Sequence, residues 1–341
     1  MAATIKDVAQ RAGVAISTVS KVMNSSSKIA LSTRKRVEAA MEELNYIPNR
    51  LARSFVQQSA QAIGVLMELG RSYAFSNPYN YEILGGIEQT SHERGFILTV
   101  SNIDVLKSNK KALDQLVQEK RIDGIIVHAS AATQDILHYL DREQFPYVTI
   151  GAPDFPCQGS AVDIDNIQAG IMATDHILNQ GYQRPAFIGG PPRDNITNRR
   201  FEGFKLSLER HGIPIHDPWV YRSTVDTDQG KAGLHTVWSA FEDQKPDSLI
   251  CVSNFLAMGA LQQAQAEGLA VPQDLGIICF DTYPFAPYSN PPLTAVDIDL
   301  YELGRHAADA LFYAIEHPGT SVTYKMIQPQ VVPRRSTEKS G

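Results

Sequence analysis

From residue 62 onward the chain repeats one pattern, a short run apolar on both faces followed by a longer amphipathic stretch. The runs "AIGVLMEL", "FILTVSN", "DGIIVHA", "YVTIGA", "SAVDID", "PAFIGG", "WVYRSTV", "SLICVS", "GIICFD", "TAVDID" and "VTYKMIQPQVV" read as strands. The stretches near 81–94, 109–119, 133–141, 167–180, 199–211, 228–242, 256–267 and 300–316 read as helices. Strands that are apolar on both faces and alternate with helices require parallel sheets covered on each side. Roughly 280 residues exceed one comfortable sheet, so two doubly wound α/β lobes are expected. A hydrophobic content of 43% is enough for such cores and excludes a disordered chain.

The motif "AVDID" occurs at 161–165 and again at 295–299. On a strand, Asp163 and Asp165, or Asp297 and Asp299, point to one face. That arrangement would suit a carboxylate dyad or a metal, but no histidine or further acid follows at ligand spacing. Two equivalent strand ends, where the chain passes between similar lobes, is the preferred reading.

The first 60 residues have a different texture and show no strand pattern. Ile5, Val8, Ala9 and Ala12 fall at helical spacing, Gly13 breaks the run, and Ile16, Val19 and Val22 or Met23 begin a second helix. A third follows in "RKRVEAAMEELNY" and ends before Pro48. Ala9, Gly13 and Val19 supply the small residue, turn glycine and buried apolar residue that let two helices cross steeply. In a helix-turn-helix the second helix enters the major groove, which would aim Ile16, Ser17 and Lys21 at base edges and phosphates, with Thr18, Ser20 and Asn24 on the same exposed face. Nine Lys/Arg against four acids give residues 1–60 a charge of +5, and the rest of the chain carries −11. A basic head on an acidic body fits a polyanion-binding module joined to a soluble partner.

Cys157, Cys251 and Cys279 are odd in number, far apart and outside ligand spacing, so no disulfide framework or zinc site is expected and a reducing cytosol suits them. There is no apolar signal region at the N-terminus and no run long enough for a membrane span, so a cytoplasmic, non-membrane protein is expected. P-loop, G-x-G-x-x-G, G-x-S-x-G and HExxH patterns are all missing, so no catalytic residue, metal or cofactor is expected.

"TIKDVAQRAGVAISTVSKVMN", "STRKRVEAAMEELNYIPNRLARSF", "RIDGIIV", "VDIDNIQAG", "RRFEGFKLSL", "FLAMGALQQAQAEGLAVPQDLGIICFD" and "PPLTAVDIDLYELGRHAADALF" together strongly resemble the lactose/galactose repressor family of bacterial transcription regulators. The resemblance covers essentially the whole chain. It implies an all-α helix-turn-helix head (1–48), a hinge helix and linker (49–61), and a periplasmic-binding-protein-like body (62–341) that binds an effector and dimerises. The body would divide into an N-lobe (62–162 and 293–322) and a C-lobe (163–292 and 323–341). A homodimer would read a pseudopalindromic double-stranded operator through Thr4, Ile16, Ser17, Thr18, Lys21 and Asn24, with Asn49, Leu51, Ala52, Arg53 and Phe55 of the hinge in the minor groove. Phe55 stands where relatives usually carry a wedging leucine. Ala15 stands where many have a capping serine, a loss of about 1 kcal/mol. Only six residues follow Arg335, without leucine heptads, so a dimer rather than a tetramer is expected.

The same resemblance implies an effector cleft lined by Tyr79 and Asn80 on one side and by Asn198, Arg200, Asn254, Phe255 and Asp281 on the other, near strand ends where α/β proteins bind ligands. Phe255, Thr282 and Ala152 replace residues that are commonly charged or polar in the family. With Tyr73, Phe75, Tyr283 and Phe285 as further stacking partners, the cleft would favour a neutral saccharide or glycoside over a phosphorylated ligand. Asp194 occupies a position where the purine-responsive branch has arginine, which disfavours a purine. Ligand closure of the lobes would then shift operator affinity through a coupling of roughly 1–3 kcal/mol.

Overall fold

The structure, a computed structural model, describes residues 3–23, 29–46, 59–69, 79–108, 111–240, 244–283, 285–320 and 324–339. It divides into two compact units, residues 1–60 and 61–341. Asn24, Asn49, Leu51, Ala52, Arg53, Phe55, Tyr73 and Phe75 lie outside the described residues, as does most of the expected hinge.

The first unit has three helices, α1 (Ile5–Ala12), α2 (Ile16–Met23) and α3 (Leu31–Glu43). The Thr4 amide and hydroxyl both donate to the Asp7 carboxylate (2.8 Å each), so Thr4 opens α1 as a cap. Those two bonds hold the Asp7 carboxyl below its usual range. Gly13 closes α1 with φ +63°, a left-handed turn that costs little without a Cβ. Val8, Ala9, Ala12, Val19, Val22, Val37 and Ala40 form the core, and Arg11 pairs with Glu43 (2.7 Å) to tie α1 to α3. Ile16, Ser17 and Lys21 are exposed on α2, whereas Thr18 and Ser20 are half-buried.

In the second unit the elements are β1 (Ala62–Met67), α4 (Tyr79–Glu93), β2 (Ile97–Asn102), α5 (Ile103–Ser108), α6 (Lys111–Val117), β3 (Gly124–His128), α7 (Gln134–Arg142), β4 (Tyr147–Ile150), β5 (Ser160–Ile164), α8 (Asn166–Asn179), β6 (Pro185–Gly189), α9 (Asn195–Arg210), β7 (Val220–Arg222), α10 (Thr227–Ser239), β8 (Ser248–Cys251), α11 (Asn254–Ala266), β9 (Gly276–Phe280), β10 (Thr294–Asp297), α12 (Leu300–Glu316), β11 (Tyr324–Ile327) and β12 (Gln330–Val332). They build two six-stranded sheets, ordered β11-β5-β4-β3-β1-β2 and β12-β10-β9-β8-β6-β7. Every strand pair is parallel except β10 with β12. No helix among the described residues is long and apolar enough to cross a membrane.

The lobe boundaries expected from sequence need correction. Strand β10 belongs to the second sheet, so the chain does not return to the first lobe at 293 but only with α12; β11 pairs with β5 in the first sheet, and β12 pairs with β10 in the second. The chain therefore crosses between lobes after 164, after 297 and after 327. The two "AVDID" copies mark the first two crossings and do parallel jobs. Asp165 caps α8 by accepting from Gln168 N–H (2.9 Å), and Asp299 caps α12 by accepting from Glu302 N–H (2.9 Å). Asp297 accepts from Thr282 N–H (3.0 Å).

Three helix pairs meet through reciprocal glycines. A Cβ on Gly86 would lie 2.0 Å from Tyr301 O and one on Gly304 2.2 Å from Ile83 O. Gly170 and Gly203 bring α8 and α9 together in the same way, as Gly230 and Gly259 do for α10 and α11. These close approaches set where α9 places its N-terminal turn, which lines the cleft.

Candidate functional site

The C-terminal ends of strands from both sheets face each other across a cavity of about 280 Å³, slightly below the roughly 300–1,000 Å³ of small-molecule sites. Its apolar wall includes Ile83, Ile150, Phe155, Ile164, Ile196, Leu300 and Leu303. Tyr79, Asn80, His128, Asp163, Asn166, Arg199, Arg200 and Asp281 supply polar groups.

Arg200 is fixed from several sides. Its Nε donates to Asn166 Oδ1 (2.9 Å), Nη1 donates to Val252 O (2.8 Å), and the guanidinium lies over the Phe280 ring (4.2 Å). Asp281 follows β9 in left-handed backbone, φ +66°, and its Oδ2 stands 3.9 Å from Arg200 Nη1. Burial raises the Asp281 carboxyl above its usual range, the Arg200 charge pulls it down, and Asp297 pushes it up again. Burial, with the Asp281 charge, also drives the Tyr79 phenol far above its ordinary value. The result is a donor and an acceptor side by side in a mostly apolar wall, which suits two neighbouring hydroxyls.

His128 ends β3 and was missed from sequence, although a histidine at the C-terminal end of "DGIIVHA" has the strand-end position that marks ligand sites. Ser130 N–H donates to His128 Nδ1 (3.2 Å), which leaves the proton on Nε2. Burial lowers its pKa to about 4, so the ring is neutral at pH 7. Arg199 and Asp163 were also missed as cleft residues. Arg199 Nη1 donates to Asp163 Oδ2 (2.8 Å), which also accepts from Ala152 N–H (3.0 Å) and Tyr324 O–H (3.2 Å).

Tyr79, Asn80, Arg200 and Asp281 thus line the cavity as expected, but three other expected residues do not. Asn254 is fully buried, and its amide is consumed by backbone: Nδ2 donates to Phe280 O and Asp281 O, while Oδ1 accepts from Phe285 N–H (3.2 Å) and Ala286 N–H (2.8 Å). Asn198 donates to Pro192 O (2.8 Å) and accepts from Arg222 Nη2 (2.8 Å), so it braces a turn. Phe255 meets Phe285 edge to face at 5.2 Å. Tyr283 is 53% exposed, and among the described residues the Phe and Tyr rings that line the cavity are Tyr79 and Phe155. Asp194, the position that bears on purines, caps α9 through Ile196 N–H and Thr197 N–H.

Residues 4–49 match the family model "Bacterial regulatory proteins, lacI family", and residues 174–337 match "Periplasmic binding protein-like domain". The HTH-type transcriptional repressor PurR of Aliivibrio fischeri (strain MJ11) is 30% identical over 336 residues, covering 98% of each chain. A solved transcriptional regulator CelR–cellobiose complex shares 26% identity and a TM-score of 0.72 over 98% of this chain and 99% of that one. The lac repressor dimer bound to operator and the anti-inducer ONPF shares the fold, with a TM-score of 0.79 at 24% identity over 99% of both chains. With a helix-turn-helix unit at its N-terminus and two parallel-sheet lobes after it, the chain belongs to the LacI family of bacterial regulatory proteins.

Proposed function

We propose that this protein is a DNA-binding transcriptional repressor whose operator affinity is set by a small neutral sugar or glycoside held between the lobes. The observation that carries the ligand class is the charge state of the cavity wall. Each lining guanidinium already faces a carboxylate, Arg199 with Asp163 and Arg200 with Asp281, and His128 is neutral at pH 7. Among the described lining residues a phosphate dianion would find no uncommitted cation, whereas vicinal hydroxyls match the Arg200–Asp281 donor–acceptor pair. The exposed Ile16, Ser17 and Lys21 of α2 are the groups offered to an operator half-site. Exposed Val100 on the edge strand β2 and Val105 on α5, which line one shallow surface, are the apolar groups offered to a second copy in a homodimer.

A purine effector is the second reading, supported by the names of the PurR relatives, and Asp194 as a helix cap weighs against it. The test is a thermal-shift and calorimetric screen against mono- and disaccharides, sugar phosphates, purine bases and nucleosides. A ligand at 100 times its Kd adds about 2.7 kcal/mol of stability. A neutral sugar that stabilises the protein but not its Arg200→Met variant supports the reading. Stabilisation by hypoxanthine or guanine replaces the ligand class with purines, and stabilisation by phosphates alone removes the charge argument.

A further inference from the structure

The polar side chains that the first lobe brings to the cavity differ in how much of their hydrogen-bonding capacity the protein already uses. Asp163 accepts from Arg199, from the amides of Ala152 and Ile164 and from the Tyr324 hydroxyl. Asp154 accepts from Asn195, and the Tyr79 phenol is bonded to Asn254. His128 is different. It closes β3, lines the cavity and is oriented by a near neighbour. Its Nδ1 accepts from Ser130 N–H (3.2 Å) and lies 2.9 Å from Ser130 Oγ, which itself accepts from Glu68 N–H (3.1 Å) just after β1. Two contacts to one nitrogen fix both the ring orientation and the tautomer, so the donor left over is Nε2–H. Among the described residues nothing accepts from it. Asn80, in the first turn of α4 and 4% exposed, likewise has a carboxamide without a partner among the described residues.

We infer that His128 is a specificity-determining residue of the cleft, whose Nε2–H donates to an oxygen of the bound effector. The inference rests on the reading of the cleft as a sugar site, and it adds the contact that chooses among sugars. An N–H held in a desolvated wall is unfavourable until something accepts from it, and a sugar hydroxyl or ring oxygen does so. Arg200 and Asp281 offer a donor and an acceptor from the second lobe, whereas His128 offers a directional donor from the first. A sugar with no oxygen at that place, or with one in the other configuration, leaves the buried donor unmatched. Mismatches of that kind discriminate more strongly than a missing apolar contact.

The test is titration calorimetry of the full chain and its His128→Gln, His128→Asn and His128→Leu variants, with D-glucose, D-galactose, cellobiose and sucrose as probes. Glutamine carries an amide nitrogen close to where Nε2 stands, asparagine is too short to do so, and leucine has no donor. For the probe that binds the parent most tightly, affinity within about threefold of the parent's is expected for His128→Gln, and a loss of roughly tenfold or more for the other two. Far-ultraviolet circular dichroism shows which variants are folded, and either asparagine or leucine alone suffices for the comparison. Parent-like affinity in the folded asparagine or leucine variant overturns the contact, as does a loss in His128→Gln as large as theirs. Nitrogen-15 NMR of the imidazole needs no ligand: a proton on Nε2 is expected, and a proton on Nδ1 overturns the inference. If none of the probes binds the parent, the sugar reading falls and the inference falls with it. Failure of that reading therefore shows in the parent, and failure of the contact shows only in the variants or the tautomer.

Discussion

Replacing Asn254 by alanine removes one buried amide that serves four backbone groups. The carboxamide accepts from Phe285 N–H and Ala286 N–H, and it donates to the carbonyls of Phe280 and Asp281. A buried donor left without a partner costs about 1–3 kcal/mol. Two orphaned amides therefore predict a loss of about 2–6 kcal/mol, a large share of the roughly 5–15 kcal/mol that holds a typical protein folded. Urea unfolding followed by far-ultraviolet circular dichroism is the direct assay, and with m near 2–3 kcal/mol/M the midpoint is expected to fall by roughly 1–2 M. Effector binding would weaken indirectly, because Asp281 and the Tyr79 phenol both lose a bond to the Asn254 side chain. A midpoint within about 0.3 M of the parent, combined with complete loss of ligand-induced stabilisation, would refute the reasoning and return Asn254 to the set of direct ligand contacts.

Gly170→Ala is expected to disturb the site from behind, because its Cβ would fall 2.1 Å from the carbonyl oxygen of Arg200; overpacking costs about 1–3 kcal/mol, and an unchanged melting temperature with full ligand response would mean α8 and α9 yield easily. Desolvation lowers the pKa of the half-buried His128 to about 4 from 6.5, so its contribution is complete above pH 6.5 and is lost as pH falls through the interval to 4. By pH 5 that loss is about 2 kcal/mol, and His128→Gln is expected to flatten this part of the stability profile; a profile identical to the parent's removes His128 as its source. Lys21→Ala is expected to weaken operator binding several-fold and to reduce the salt slope by about 0.9 per head, measured by fluorescence anisotropy from 50 to 200 mM salt; an unchanged slope would mean that Lys21 touches no phosphate.

Local sequence determined the element types, and with them most of this fold. Alternating apolar runs and amphipathic stretches specify parallel strands covered by helices because each element must bury a face of its own period. Ala9, Gly13 and Val19 specify the tight turn of the head because only a glycine enters φ +63° without strain. Asp281, just after β9, and Arg200, in the second turn of α9, were expected at the cleft through the family resemblance, and both line it. The tertiary structure decided how each polar side chain is used. Asn254 bonds to amides 31 and 32 residues away, and Arg199 finds Asp163 across 36 residues, so neither role is visible in local spacing. The lobe boundaries had the same limit: the assignment of β10 and β11 to different sheets follows from which strand each pairs with, β9 for one and β5 for the other. Periodicity records what a residue must bury, whereas hydrogen-bond partners and strand neighbours are fixed only when distant segments meet.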